Sequence, residues 1–380
     1  MLCDDIHFCA FEPIIPLQYA ISFLLQHGSC KILSRFAQFL FPPHNTVILP
    51  GSTMDKYIQR FPDQLLEGLR IAENTVWPSL PRQPKQVVIT GMGGSGIGAV
   101  IVRSLIGNNL SVPFATVNNY RLPRWCNPDT LVICSSYSGN TEETLAAFED
   151  ARALGCMIAC VTTGGKLLEL AQAGDLPTIV IPGGMPPRSC VGYSIIGQLA
   201  VLQHAGVISA DWRGRMQAAA HFLASAGATL RTEAQALAQQ IAPYIPVIYS
   251  DILLSGVAVR WKQQINENAK MHAFDHTLPE MDHNELVAYV LPDPRCCAVF
   301  LRHSYDHPRM QQRFTLTKEL MEGKAGCVVE VQASGEDIYA QLFSLIHLGD
   351  WLSVELAAIR GVDPIDITIL EQLKTALGRS

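Results

Sequence analysis

Residues 130–144 read Thr-Leu-Val-Ile-Cys-Ser-Ser-Tyr-Ser-Gly-Asn-Thr-Glu-Glu-Thr. The run over 130–135 is mostly apolar and β-branched, which predicts a buried strand, and a helix is expected from Thr141 to about Leu154. Between them lies a short turn that contains Gly139 and several hydroxyl side chains. A buried strand that leads through such a turn into a helix is the repeating unit of a parallel sheet.

The same unit recurs on both sides of this stretch. Further strands are predicted over 86–90, 114–118, 157–162 and 178–181, and further helices over 97–106, after 166 and from 191. The pattern restarts beyond a helical linker around 208–240. The second half has predicted strands at 247–250, 287–291, 298–301 and 327–331, and predicted helices at 255–269, 310–321 and 338–359.

Continuous apolar strands that alternate with helices imply a parallel sheet covered on both faces. We therefore predict an α/β fold of two doubly wound parallel-sheet halves, each a flavodoxin-like three-layer sandwich. The first half is expected over 54–210 and the second over 211–360, with a C-terminal tail over 361–380. The two halves show no close repeat at the residue level.

Residues 1–53 do not follow this pattern. They lack a clean hydrophobic period, whereas a helical face begins after Met54 with Tyr57, Ile58 and Phe61. Asp4 and Asp5 stand where a signal peptide needs positive charge. We expect residues 1–53 to be an atypical arm, either disordered or an over-extended reading frame, with the natural start at Met54.

The composition narrows the class of protein. Apolar residues make up 48% and charged residues 16% of the 380, which favours large buried cores over disorder. The net charge of −6 and the lack of a long basic run argue against a nucleic-acid partner. No uncharged apolar run is long enough to predict a membrane span. Eleven cysteines without a repeated spacing favour reduced thiols in the cytoplasm.

A glycine turn follows the first predicted strand. Gly91-Met-Gly-Gly-Ser-Gly96 fits the G-x-G-x-x-G dinucleotide fingerprint. That site also needs an acidic residue after the second strand, and no Asp or Glu occurs between Gly91 and Asn127. We therefore expect Gly93, Gly94 and Ser95 to contact a smaller anionic ligand or a sugar near a helix N-terminus. The alternative is a tight turn with no ligand.

The hydroxyl-rich turn predicts a second contact with an anion. Backbone N–H groups at a helix N-terminus attract phosphate, and the hydroxyls of Ser136, Ser138 and Thr141 add neutral donors. Asn140 and Glu143 also fit a capping box, which any helix start could use. Capping does not explain the run of serines, so we predict a phosphate-binding loop.

At this point the chain resembles a known family. The Ser-Tyr-Ser-Gly-Asn-Thr-Glu-Glu-Thr loop is similar to the phosphosugar-binding loop of the sugar isomerase (SIS) domain. Later segments resemble the bifunctional phosphoglucose/phosphomannose isomerases over about residues 54–380. These segments are Gly183–Tyr193, Asn266–Lys270, Pro279–Glu285, and the tail from Asp363-Pro364 to Lys374.

The resemblance implies a reaction and a set of roles. The expected reaction is reversible isomerisation of glucose 6-phosphate, and of mannose 6-phosphate, to fructose 6-phosphate through an enediol. Glu267 would be the base, Arg188 would stabilise the enediolate, and Lys374 would contact the ring oxygen. His283 would open the sugar ring from across the interface of a cytoplasmic homodimer. No cofactor and no metal are implied.

Several alternatives remain open at the level of sequence. Glu267, between two asparagines, could lie on a solvated helix face. A metal site is disfavoured because the candidate ligands match no standard zinc spacing; they are Asp275, His276, Asp282 and His283. Rival functions are another phosphosugar enzyme of the superfamily and a non-catalytic sugar-phosphate sensor, although residues 1–85 lack the basic face of a DNA-binding helix. Whether Thr368 influences acceptance of the C2 epimer stays open.

Overall fold

The computed structural model describes residues 53–107, 110 and 112–378. The predicted arm over 1–53 lies outside the described residues apart from Thr53. Two helices, α1 (Thr53–Gln59) and α2 (Phe61–Asn74), replace the single helical pattern expected after Met54. Ile58, Phe61 and Leu65 are buried, so the predicted apolar face does form.

The first sheet has five parallel strands in the order β2-β1-β3-β4-β5. They are β1 (Gln86–Thr90), β2 (Phe114–Val117), β3 (Thr130–Ser136), β4 (Met157–Thr162) and β5 (Thr178–Val180). Helices α3 (Gly93–Ile106) and α6 (Val191–His204) pack on one face. Helices α4 (Glu142–Ala153) and α5 (Gly165–Ala173) pack on the other.

The second sheet has four parallel strands in the order β7-β6-β8-β9. They are β6 (Ile245–Ser250), β7 (Phe274–Thr277), β8 (Asp293–Arg302) and β9 (Ala325–Gln332). One face carries α7 (Trp212–Ile241), α8 (Ser255–Ala269) and α10 (Ile338–Arg360), and the other carries α9 (Pro308–Met321). A last helix, α11, spans Thr368–Leu377. The predicted α/β fold with two doubly wound parallel sheets is confirmed.

Two local predictions are wrong. The apolar run over 287–291 is not a strand: residues 287–290 belong to the 3-10 helix Glu285–Val290 and Leu291 follows it. The run lacks the buried face of a strand, because only Tyr289 in it is buried. The edge of the sheet is instead formed by Phe-Asp-His-Thr of β7, whose polar sequence gave no strand signal. Helix α3 also begins at Gly93 rather than Ile97, so the glycine turn is itself the first turn of the helix.

Helix α10 is long and apolar enough to pass a length-and-composition test for a membrane span. Buried core helices of globular proteins have the same length and composition. In α10, 83% of the most apolar 18-residue segment is buried inside the protein. It contacts α7 and α8. Gly349 allows the close approach to α8, because a Cβ there would lie 2.6 Å from Cε2 of the buried Trp261.

We expect Gly349→Ala to lower the free energy of unfolding by about 1–3 kcal/mol, because the added methyl group overpacks the contact with Trp261. Urea unfolding followed by circular dichroism would measure the change. Gly227→Ala is a matched control in α7, since its Cβ would make only an ordinary contact, 3.8 Å from His347. It should stabilise the protein by about 0.5–1 kcal/mol, as expected for Gly to Ala inside a helix. Equal effects of the two changes would contradict this account of the packing.

Candidate functional site

The glycine turn and the serine loop lie together at the carboxyl ends of β1 and β3. These strands are neighbours at the point where the strand order reverses, which is where ligands bind in open α/β sheets. The backbone N–H of Tyr137 donates to Ser95 Oγ over 3.1 Å. The predicted anion-binding residues of the two segments are therefore brought side by side.

The predicted hydroxyls also shape the serine loop. Ser136 Oγ accepts from the N–H of Gly139 at 3.1 Å and shares a hydrogen bond with Thr141 Oγ1 at 2.8 Å. Ser138 Oγ accepts from the N–H of Asn140 at 3.2 Å. Ser136 is buried, whereas Ser138 is exposed and Thr141 is half-buried. Any anion at this loop would meet a preformed turn at the start of α4.

A cavity of about 370 Å³ lies beside the glycine turn. Its walls come from the start of α3, the 3-10 turn Pro187–Ser189, the second half of α8 and the C-terminal tail. Among the predicted site residues, four line it: Gly93, Gly94, Arg188 and Glu267. Gly94 permits this arrangement, because a Cβ there would lie 2.6 Å from the carbonyl oxygen of Pro187.

Arg188 is the central cation of the cavity and is only 5% exposed. Its Nη1 donates to Glu267 Oε1 and its Nε to Asn268 Oδ1, both at 2.7 Å. Its Nη2 donates to the carbonyl oxygen of Pro364 at 2.6 Å. Burial lowers the pKa of Arg188, and the Glu267 carboxylate opposes that shift. A guanidinium stays charged under these conditions, so it can stabilise negative charge without titrating.

A second buried ion pair, between Arg260 and Asp350, lies next to the Arg188–Glu267 pair and contacts the backbone of Arg188. Arg260 Nη2 donates to Asp350 Oδ2 at 2.7 Å and to the carbonyl oxygen of Arg188 at 3.0 Å. Gln264 Nε2 donates to the other oxygen of Asp350 at 2.9 Å. Burial raises the pKa of Asp350, and Arg260 opposes this. The network fixes α8 against α10 directly beneath the cavity.

Lys270 closes the end of α8 and joins it to the tail. Its Nζ donates to the carbonyl oxygens of Glu267 at 3.0 Å and Asn268 at 3.3 Å, and to that of Asp363. Beyond this point the tail covers one side of the cavity with Asp366, Ile367, Ile369 and Leu370. The tail thus lines the cavity through these residues and not through Lys374.

Other predicted residues lie outside the cavity lining. Ser95, Ser136, Ser138 and Thr141 do not line it, although Ser95 belongs to the glycine turn, whose Gly93 and Gly94 do. Lys374 is exposed on α11 and is also absent from the lining. Thr368 donates to Asp366 Oδ1 at 2.6 Å rather than facing the cavity.

His283 lies on an exposed turn that is held by its neighbours. Asp282 pairs with Arg313 at 2.8 Å, and Glu285 accepts from the hydroxyl of Tyr249 at 2.5 Å. His283 itself is exposed and does not line the cavity of its own chain. The structure therefore presents this histidine outward on a fixed segment.

Three of the four residues weighed as metal ligands are paired with other side chains: Asp275 with Lys262, His276 with Glu285 and Asp282 with Arg313. Within the described part of the chain, a different group gathers at the carboxyl ends of β6 and β8, namely Asp251, His303 and Asp306. The N–H of Tyr305 donates to His303 Nδ1 at 3.0 Å, which leaves the ring proton on Nε2. Nε2 then donates to Asp251 at 3.0 Å, so this imidazole is oriented as a donor rather than as a ligand.

Sequence reasoning missed Arg260, Gln264 and Lys270 as parts of the site. Arg260 and Gln264 are polar residues on the helix that carries Glu267, at spacings of seven and three residues. Their position on the same face of the helix as Glu267 could have identified them as neighbours of the carboxylate. Lys270 follows Glu267 by three residues in the segment that carried the family resemblance, but nothing in the sequence indicated a left-handed backbone there.

Two doubly wound parallel sheets, with the glycine turn and the serine loop side by side at the carboxyl ends of β1 and β3, define an SIS-type α/β protein. Residues 230–377 match the family model described as the bacterial phospho-glucose isomerase C-terminal SIS domain. The C-terminal domain of glucosamine-fructose-6-phosphate aminotransferase from Francisella tularensis has the same fold, with a TM-score of 0.67 at 16% identity. The match covers 83% of this chain and 98% of that one.

Sequence relatives narrow the class. The bifunctional phosphoglucose/phosphomannose isomerase of Caldicellulosiruptor bescii is 34% identical over 338 residues, which cover 85% of this chain and 98% of the relative. The enzyme of the same name from Aquifex aeolicus is 36% identical over 296 residues, which cover 77% and 90%. The chain belongs to the bifunctional phosphoglucose/phosphomannose isomerase family, which confirms the resemblance seen in its motifs.

Proposed function

We propose that this protein interconverts glucose 6-phosphate and fructose 6-phosphate, and likewise mannose 6-phosphate and fructose 6-phosphate. The observation that carries the proposal is the Arg188–Glu267 pair, a carboxylate held 2.7 Å from a buried guanidinium at the wall of a cavity. Family membership supports the substrate class. A non-catalytic sugar-phosphate sensor would not need a base paired with a fixed cation.

Glu267 acts as the base in this proposal. It takes the proton from C2 of the open-chain aldose, and the C–H electron pair forms an enediolate with its charge on O1. It then returns the proton to C1 while the hydroxyl proton of O2 passes to O1, so that the carbonyl group moves from C1 to C2. Arg188 lies next to the developing charge and stabilises it. The planar intermediate loses the C2 configuration, so one base can serve both epimers. Acid–base groups suffice for these steps, and no cofactor is required.

The serine loop binds the phosphate in this proposal. Ser136, Ser138 and Thr141 stand at the start of α4, where backbone N–H groups and the helix dipole favour an anion. The glycine turn connects this loop to the cavity through the contact of Ser95 with Tyr137. Gly93 and Gly94 then contact the sugar, because they line the cavity.

We further propose a cytoplasmic homodimer in which His283 opens the sugar ring of the partner. His283 is exposed and lies outside its own cavity, and apolar Val287 and Val290 nearby are each 68% exposed. A second exposed apolar surface adjoins the cavity on α11, with Ile369 at 77% and Leu373 at 57%. Lys374 lies outside the cavity, so we do not place it in the catalytic set.

Glu267→Gln should lower kcat by about 10²–10⁴-fold, because the base is lost while the shape of the side chain is kept. Turnover of both aldose phosphates would be followed in a coupled assay with EDTA present. Fructose 6-phosphate should still bind in calorimetry. Glu319→Gln, an exposed change on α9, is the control and should leave kcat unchanged. Near-normal turnover by a folded Glu267→Gln protein would refute the assignment.

Replacing Ser136 and Ser138 together with Ala should raise KM far more than it lowers kcat, because the phosphate is remote from the reacting carbons. Each hydroxyl lost from a charged ligand should cost about 1.5–3 kcal/mol. The pair should then weaken binding by roughly 10²–10⁴-fold. Ser225→Ala, an exposed change in α7, serves as the control. An unchanged KM in the folded double variant would rule out the phosphate loop.

Mixing two inactive variants tests the shared site. A hybrid dimer of Glu267→Gln and His283→Ala subunits rebuilds one intact site only if the histidine crosses the interface. Random exchange of subunits should then restore about a quarter of wild-type activity, since half the dimers are hybrids with one good site. Reassociation from dilute urea, compared with each variant treated alone, would measure this. Absence of recovery despite formation of hybrids would place His283 in the site of its own chain.

A further inference from the structure

Lys270 has a backbone conformation that lysine rarely adopts. It ends α8 in the left-handed region, with φ 51° and ψ 41°. Among the described residues, Asp175 is the other non-glycine residue with positive φ. Glycine or asparagine fills such a position more readily, because a Cβ crowds the neighbouring carbonyl. A strained residue of this kind persists where the surrounding structure holds it in place.

The ammonium group of Lys270 is fully engaged. It donates to three backbone carbonyl oxygens, those of Glu267, Asn268 and Asp363, and an ammonium has three protons to give. The side chain lines the cavity, yet it has no proton left for a substrate hydroxyl. The geometry therefore fits a positioning residue rather than a group that touches the sugar.

The contacts of Lys270 run parallel to those of Arg188. Lys270 binds the carbonyl of Asp363 in the tail, and Arg188 binds the next carbonyl, that of Pro364. At the other end, both cations contact Glu267 and Asn268 at the end of α8. Two adjacent cations thus tie the same piece of tail to the helix turn that carries the carboxylate.

A glycine at position 270 would cap the helix without strain but would not make this link. Lys270 makes the link to the tail although its surroundings disfavour a charged ammonium group. Burial and then the charge of Arg188 lower the pKa of Lys270, while Asp366, Asp363 and Glu267 oppose the shift. The link to the tail is what the lysine provides beyond an ordinary helix cap.

We propose that Lys270 is a positioning residue for the isomerisation, which locks the C-terminal tail to the end of α8 and so fixes Glu267 against Arg188. This inference rests on the roles proposed above for Glu267 and Arg188. Release of the tail frees the carbonyl partner of Arg188 and lets the ion pair shift within the cavity. A misplacement of about 1 Å at a reacting group can lower the rate about 10²-fold.

Lys270→Gly and Lys270→Asn test the proposal, because both residues accept the left-handed backbone and both remove the ammonium group. We expect kcat to fall by about 10- to 10²-fold, with a smaller change in KM. The Tm of Lys270→Gly should be unchanged or raised, since the strain is removed. Tryptic cleavage after Arg360, just before the tail, should become faster, as followed by mass spectrometry. Lys262→Asn removes one positive charge from the same helix and should change neither kcat nor the cleavage rate.

The outcomes separate this inference from the proposed function. A wild-type protein that isomerises neither aldose phosphate would defeat the proposed function, while the cleavage rates would still report whether Lys270 holds the tail. Active wild type with unchanged kcat in both Lys270 variants would overturn the positioning role alone. A loss of kcat without faster cleavage would overturn the link to the tail. A Tm that falls in both variants together with kcat would assign Lys270 to folding and overturn the proposal.

Discussion

The guanidinium of Arg188 is the interaction on which the rest of the site depends. It stands between the two sheets, in the 3-10 turn after β5, and reaches α8 and the tail. A buried cation is tolerated only when its donors are satisfied and a negative charge lies close by. Glu267, Asn268 and the carbonyl of Pro364 meet that requirement together. Three separate parts of the chain are therefore held in one arrangement by a single side chain.

The surroundings of Arg188 show how that arrangement is kept rigid. Asn268 accepts from Arg188 and donates to Ser353 Oγ at 2.9 Å, and Ser353 donates to the carbonyl oxygen of Asp350 at 2.7 Å. Asp350 in turn pairs with Arg260, whose other contact is the carbonyl oxygen of Arg188. The polar chain closes on itself within a buried layer. Removing any member leaves a buried donor or acceptor unpaired, which costs more than the bond itself contributes.

The sequence predicted those strands, helices and site residues that depend on the pattern of residues close together in the chain. The apolar strands and their helices followed from periodicity, and Arg188, Glu267 and the two glycines were found at the cavity. The run over 287–291 was misread because its apolar residues other than Tyr289 are exposed beside His283, and exposure cannot be read from the hydrophobic period. Strand β7 was missed because the polar Asp275 and His276 pair outside the core with Lys262 and Glu285. Lys270 could not be foreseen, since its role depends on a tail almost a hundred residues away in the chain.

The two halves of the chain divide the work of the proposed reaction. The first sheet offers hydroxyls and backbone N–H groups at the serine loop, and in the proposed reaction these neutral donors and the dipole of α4 hold the phosphate. The fixed charges, Arg188 and Glu267, stand at the cavity instead, where charge would develop during proton transfer. Contacts to the phosphate act on the ground state and the transition state alike, whereas charges placed at the reacting carbons act mainly on the transition state. In the proposed reaction, neutral donors at the remote end and the Arg188 cation at the reacting end keep binding of the anionic substrate from competing with stabilisation of the enediolate.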